Sequence, residues 1–145
     1  MQRKNLDKAK ELLKANDITL ALYNGEKEIT SQKRGVSPLV DFLQSKQTLV
    51  GFSAADKVVG KGAAFLYVLL GVSEIYAAVI SRPALDILLK YGIKTEYGTL
   101  VDNIINRKGD DICPIEASVL KTVNPNEAYA AIIKKLNELN GTKAF

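Results

Sequence analysis

The first part of the chain carries apolar side chains at helical spacing. Leu6, Ala9 and Leu13 recur at intervals of three or four residues, which places them on one face of a helix. Asparagine is a common capping residue at helix starts. The pattern therefore predicts a helix that starts at Asn5 and ends near Asn16.

Strict alternation replaces the helical spacing in the next segment. Residues 18–22 alternate between apolar and smaller or polar side chains, as in a half-buried β-strand. The pair Asn24-Gly25 follows, and this pair is typical of the type I′ turn of a β-hairpin. Residues 27–31 are then expected to return as the second strand.

Prolines mark the expected starts of four later helices. Pro38, Pro83, Pro114 and Pro125 each lie one or two positions after a small or capping residue. Proline is favoured in the first helical turn because the N–H that it lacks would have no acceptor within the helix. We therefore expect helices to start near residues 38, 82, 114 and 125.

Apolar segments between these helices predict the rest of the sheet. Residues 48–54 and 74–80 are expected to be buried strands, with an apolar helix at residues 61–70 between them. Such a unit forms a right-handed crossover between parallel strands. The remaining segments are assigned as a last strand at residues 93–97, a short helix at 99–107, a loop at 108–112 and a closing helix at 127–139.

This order of elements predicts one α/β domain over residues 1–145, a three-layer α/β/α sandwich around a mixed five-stranded sheet. The chain has no apolar run of about 18 residues and does not start like a signal peptide, so no membrane partner is expected. A single cysteine cannot form an internal disulfide, which favours a cytoplasmic protein.

Composition narrows the possible chemistry. The chain has no histidine and one cysteine, which excludes Ser-His-Asp triads, Cys-His pairs and zinc sites built from histidine and cysteine. We expect no metal and no cofactor. The net charge is +4, but acidic and basic residues are interleaved, so nucleic-acid binding is not expected.

Four short motifs occur in order along the middle of the chain. They are DKVVGKGAA at residues 56–64, SRPA at 81–84, NR at 106–107 and CPIE at 113–116. With these motifs the chain resembles the cytidine-deaminase-like fold, and more specifically a small family known only as a domain of unknown function with that fold. The resemblance implies a fold and no particular reaction. Deaminase-fold relatives commonly associate, so it also implies a possible homodimer.

The zinc ligands of true deaminases are missing from the corresponding positions. In a zinc deaminase one helix opens with His-x-Glu and the next with Pro-Cys-x-x-Cys. Here the first helix opens with Gly60-Lys61-Gly62, and Ala84 and Ile87 stand at the two cysteine positions. The resemblance therefore does not extend to zinc-dependent deamination.

The segment Gly60-Lys61-Gly62 is the first candidate binding site. Unpaired N–H groups at a helix N-terminus favour anions, and Lys61 and Lys57 add positive charge. Ser81 and Asn106-Arg107 are further candidates for ligand contacts. Alternatively, the glycines only make a turn and the charged side chains only form ion pairs or contact solvent.

Three residues are candidates for catalysis. Cys113 is expected at the N-cap of a helix, where a thiol becomes more acidic, with Glu116 at the third helical position. Asp56 precedes the glycine segment and is interpreted as a turn residue that could act as a base. Each has a structural alternative: a buried thiol, a helix cap and a turn-closing carboxylate.

The sequence thus supports three hypotheses. The first is a zinc-free domain that binds a small anionic ligand, such as a nucleotide or a nucleotide-derived metabolite, at the helix N-terminus near Lys61. The second is a thiol-dependent enzyme or redox-sensitive protein that uses Cys113. The third is a non-catalytic assembly domain.

Overall fold

The computed structural model describes residues 2–15, 17–105, 109 and 111–144; residues 2, 3 and 140–144 are described by their backbone alone. Its elements follow in chain order: α1 (Gln2–Leu13), β1 (Leu20–Tyr23), β2 (Glu28–Ser31), α2 (Ser37–Gln44), β3 (Ser53–Val59), α3 (Lys61–Leu70), β4 (Glu74–Ser81), α4 (Arg82–Lys90), β5 (Lys94–Val101), α5 (Pro114–Ser118) and α6 (Pro125–Ala144).

The five strands form one mixed sheet in the order β2-β1-β3-β4-β5. Strand β1 runs antiparallel to β2 and β3, whereas β3, β4 and β5 are parallel to one another. Helices α3 and α4 connect the parallel strands, and their N-termini therefore follow the carboxyl ends of β3 and β4. The predicted α/β class and the mixed five-stranded sheet are confirmed.

Helices cover both faces of the sheet. On one face, Ala9 and Leu13 of α1 pack against Ala21 and Ala55. The larger core lies on the other face, where the buried members include one residue from each of four helices: Leu39, Phe65, Leu88 and Ile132. Helix α3 is apolar on most of its surface because it lies within this core, with both α4 and α6 in contact with it.

Several predicted boundaries are confirmed by the structure. Helices begin at Ser37, Arg82, Pro114 and Pro125, within one residue of the expected starts. The apolar helix occupies the predicted range, Lys61–Leu70. A proline lies in the first turn of α2, α4, α5 and α6, and the side chains of Ser81 and Asn124 cap α4 and α6.

Two predictions for the N-terminal part of the chain were wrong: the limits of the first helix and the type of the hairpin turn. Helix α1 begins at Gln2 rather than Asn5 and ends at Leu13, and Asn16 lies outside the described residues. The hairpin forms, but its turn is not the predicted type I′, which requires a positive φ at both Asn24 and Gly25. Gly25 has a φ of +102°, whereas the φ of Asn24 is not positive. Instead the Asn24 carboxamide oxygen accepts hydrogen bonds from the backbone N–H groups of Glu26 (2.9 Å) and Lys27 (2.7 Å).

The expected strand at residues 48–54 and the expected helix at 99–107 were also wrong. Strand β3 occupies Ser53–Val59, and the preceding apolar residues form a turn in which Leu49 and Phe52 are buried. The expected helix instead continues β5 as far as Val101, and its last two residues, 106 and 107, lie outside the described part of the chain. Apolar patterning reports burial, which a packed turn provides as well as a strand.

Within the described residues, none of the helices has the length and the hydrophobicity needed to span a lipid bilayer.

Candidate functional site

The N-terminus of α3, where the sequence predicted an anion, already holds a carboxylate of the chain itself. Glu116 of α5 is only 2% exposed. Its Oε2 atom accepts a hydrogen bond of 2.6 Å from the backbone N–H of Lys61. Its Oε1 atom accepts one of 3.1 Å from the hydroxyl of Ser81, the N-cap of α4. Glu116 therefore joins the N-termini of two helices.

The glycines beside Lys61 are explained by this close packing. A Cβ on Gly60 would lie 2.8 Å from Glu116 Oε2, and a Cβ on Gly62 would lie 3.2 Å from the Cγ2 atom of Ile115. Both distances are shorter than ordinary van der Waals contact. Gly60 and Gly62 thus let α5 approach α3.

The Lys61 side chain is directed to α5 rather than to an open site. Its Nζ atom donates a hydrogen bond of 2.8 Å to the carbonyl oxygen of Leu120, just beyond the end of α5. The backbone N–H and the ammonium group of Lys61 thus both hold the α5 segment. An external anion at the N-terminus of α3 would have to displace Glu116.

Ser81 has a structural role in addition to its contact with Glu116. Its Oγ atom accepts a hydrogen bond of 3.3 Å from the backbone N–H of Ala84, which caps α4. Ser81 is fully buried. The predicted ligand contacts Asn106 and Arg107 lie outside the described residues.

Cys113 is the N-cap of α5, as predicted, but its thiol makes no capping hydrogen bond. Its backbone N–H donates to the carbonyl oxygen of Ile104 at 2.9 Å. Glu116 does not cap its own helix, because its carboxylate accepts hydrogen bonds from Lys61 and Ser81 instead. That Cys113 acts as a nucleophile or as a redox-sensitive thiol stays a prediction.

Asp56 lies within β3, so its interpretation as a turn residue was wrong. Its Oδ2 atom accepts a hydrogen bond of 2.6 Å from the Tyr67 hydroxyl, and its Oδ1 atom accepts one of 3.3 Å from the backbone N–H of Val58. Burial raises the pKa of Asp56 to about 7, although these hydrogen bonds act in the opposite direction. Burial and the neighbouring carboxyl also raise the pKa of Tyr67 well above its ordinary value.

Lys57, the remaining predicted contact, lies at an open cleft on the α1 side of the sheet. The cleft has a volume of about 440 Å³. Its lining consists of Lys10, Leu13, Lys14, Lys57, Val58, Tyr76, Ala78 and Val79. Three cationic side chains therefore surround a surface that is otherwise mostly apolar.

Lys10 is anchored at one side of this cleft. Its ammonium group forms an ion pair with Glu96 of β5 and lies 4.7 Å from the centre of the Tyr76 ring. The hydrogen bond to Glu96 raises the pKa of Lys10. Lys10 therefore stays protonated over the physiological pH range.

The structure thus separates the residues that the sequence grouped together. Gly60, Lys61, Ser81 and Glu116 belong to a closed contact between helices, whereas Lys57 lines the cleft on the other side of the sheet. Tyr67 was not predicted as the partner of Asp56. Lys10 and Lys14 were not predicted as cleft residues either, although their four-residue spacing within the predicted N-terminal helix was a usable signal. Among the described residues, no group of three potential metal ligands occurs.

Comparison with known proteins identifies the family. Residues 8–136 match the family described as a domain of unknown function, DUF1893. The crystal structure of a DUF1893 family protein from Thermotoga maritima, TM1506, is similar, with a TM-score of 0.85 and 29% sequence identity over 93% of this chain and 92% of that chain. No curated protein matches the sequence. The match spans most of the chain, and the chain therefore belongs to the DUF1893 family of domains of unknown function.

Proposed function

We propose that the chain binds a small anionic ligand, and that the ligand occupies the cleft between α1 and the sheet. The observation that carries the proposal is the combination of an apolar surface with Lys10, Lys14 and Lys57 in one cleft of about 440 Å³. This volume lies within the range of small-molecule sites, which are mostly apolar with a few convergent polar groups.

The lining also indicates the kind of ligand. Val58, Val79 and the Tyr76 ring offer a surface for a flat apolar or aromatic group, and the lysines favour a phosphate, sulfonate or carboxylate. A nucleotide or a nucleotide-derived metabolite has this chemistry. The ligand is thus an anion attached to an apolar body.

The N-terminus of α3 is the less favourable location for this ligand. Glu116 fills the position that an anion would take, and it is almost completely buried. Displacing it would leave the N–H of Lys61 and the hydroxyl of Ser81 to be satisfied by the ligand alone. The deaminase-like resemblance stays a prediction, and binding in the cleft does not depend on it.

Two fluorescent probes test the proposal. The first is 1-anilinonaphthalene-8-sulfonate, which joins an aromatic body to a sulfonate, and the second is N-phenyl-1-naphthylamine, which has the same rings without the charge. We expect saturable 1:1 binding of the sulfonate and clearly weaker binding of the neutral amine. Equal affinity for the two probes would contradict the role of the lysines.

Matched variants place the site. Val58 is 48% exposed and lines the cleft, so Val58→Asp should weaken sulfonate binding by roughly tenfold or more. Val123, which is 66% exposed and is not part of the lining, provides the control Val123→Asp. Lys14→Glu should weaken binding by roughly 5- to 10-fold, whereas Lys121→Glu should not. Equal effects within either pair would exclude the cleft as the site.

A further inference from the structure

Strand β3 forms one wall of the cleft, and the side chain of Asp56 lies on the face of β3 that is turned away from the cleft. Its side chain contacts Tyr67 of α3, whereas the next two residues of β3, Lys57 and Val58, line the cleft. The backbone N–H of Val58 donates directly to the Asp56 carboxylate. A buried, titratable carboxyl is thus separated from the cleft by the thickness of one strand.

We propose that binding of an anion in the cleft is coupled to protonation of Asp56 behind it. This inference rests on the proposed function, since it concerns the same cleft. A charged Asp56 repels an anion bound across the strand, whereas a neutral Asp56 does not. By linkage, the anion binds more tightly when Asp56 is protonated, and its binding draws a proton onto Asp56.

The groups that surround Asp56 leave its own carboxyl as the one that takes up a proton when the anion binds. Tyr67 faces it from α3, and the raised pKa of Tyr67 keeps that hydroxyl protonated. The residues paired with Asp56 in the neighbouring strands, Leu20 of β1 and Ala77 of β4, are apolar. Across the strand, the cationic groups of the cleft are the three lysines that would contact the anion: Lys10, Lys14 and Lys57.

The composition of the chain makes the coupling measurable. Burial raises the pKa of Asp56 to about 7, and the chain contains no histidine. Ordinary carboxylates titrate near about 4, and ordinary lysines titrate above about 10. A sulfonate keeps its charge throughout. Alpha-amino groups and ordinary thiols titrate near the upper end of the interval from about pH 6 to about pH 8. The part of the change in sulfonate affinity that Asp56→Asn removes therefore reports on Asp56.

The experiment measures the Kd of 1-anilinonaphthalene-8-sulfonate across this pH interval. At a separation of about 10 Å and an effective dielectric constant of roughly 20 to 40, one charge changes affinity by roughly 3- to 10-fold after screening. We expect wild-type protein to bind the probe more tightly, by that factor, at about pH 6 than at about pH 8. Asp56→Asn should bind tightly at both pH values.

Tyr67→Phe provides a second variant that keeps the carboxyl. The Tyr67 hydrogen bond lowers the pKa of Asp56, so its removal should move the midpoint of the affinity change to higher pH. This variant decides the question even if Asp56→Asn fails to fold.

The outcomes separate this inference from the proposed function. Absence of probe binding at every pH overturns both. Binding with a pH-independent Kd overturns the coupling and leaves the cleft site standing. A pH dependence that is as large in Asp56→Asn as in wild type, or a midpoint that does not move in Tyr67→Phe, also overturns the coupling.

Discussion

Replacing Gly60 with alanine tests the contact between α3 and Glu116 directly. The backbone of Gly60 has a φ of −97°, which any residue can adopt, so the substitution introduces no backbone strain. The added Cβ would lie 2.8 Å from Glu116 Oε2 and 3.1 Å from the Cγ1 atom of Ile104. The carboxylate must therefore move and lose its hydrogen bond from the N–H of Lys61.

The size of the effect follows from what this movement breaks. A hydrogen bond to a buried charged group contributes about 1.5–3 kcal/mol, and the interaction with the helix dipole adds about 0.3–1 kcal/mol. Alanine recovers about 0.4–1 kcal/mol by restricting the unfolded chain. Gly60→Ala should therefore lower the free energy of unfolding by about 1.5–3 kcal/mol.

A double-mutant cycle isolates the contact. In the Glu116→Ala background there is no carboxylate to displace, and the new Cβ fills part of the vacated space. Gly60→Ala should then cost less than about 1 kcal/mol, which gives a coupling of about 1–2 kcal/mol. The assay is urea unfolding of the four proteins, followed by circular dichroism at one pH.

Gly62→Ala is the matched control for this cycle. Its Cβ would meet Ile115 and Ile132 rather than Glu116, so its cost should depend much less on whether Glu116 is present. The reasoning is refuted if Gly60→Ala costs the same in both backgrounds to within about 0.5 kcal/mol.

Two further predictions concern single residues. Folding raises the pKa of Asp56 from 3.8 to about 7. Between these values the folded protein keeps a proton that the unfolded chain releases. The contribution of Asp56 to stability therefore falls as pH rises from about 4 to 7. As pH rises, the free energy of unfolding of wild type should fall more steeply than that of Asp56→Asn, by up to about 1.4 kcal/mol per pH unit. Parallel plots of this free energy against pH for the two proteins, between about pH 5 and 7, would contradict the prediction. At the N-cap of α5, Cys113→Ser should supply the missing side-chain acceptor and raise the free energy of unfolding by about 0.5–1 kcal/mol. Thermal unfolding measures that gain, and an unchanged or lower Tm would show that serine does not cap the helix.

Local signals in the sequence determined much of the fold. Proline near a capping residue located the starts of α2, α4, α5 and α6, and the apolar segments located α3 and β4. These features act within a few residues, so their effect can be read without knowing the rest of the molecule. The strand–helix–strand pattern likewise determined the parallel crossover, because its handedness follows from strand twist.

The tertiary structure decided the chemistry of the candidate sites. The sequence indicated that the N-terminus of α3 favours an anion, but Glu116, which supplies it, lies 55 residues from Lys61 along the chain. Local patterns likewise could not show that Asp56 is buried against Tyr67, or that Lys57 joins Lys10 and Lys14 at one cleft. Helix propensity and alternation are set by neighbouring residues, whereas burial, pKa and the partner of a charge are set by residues that only folding brings together.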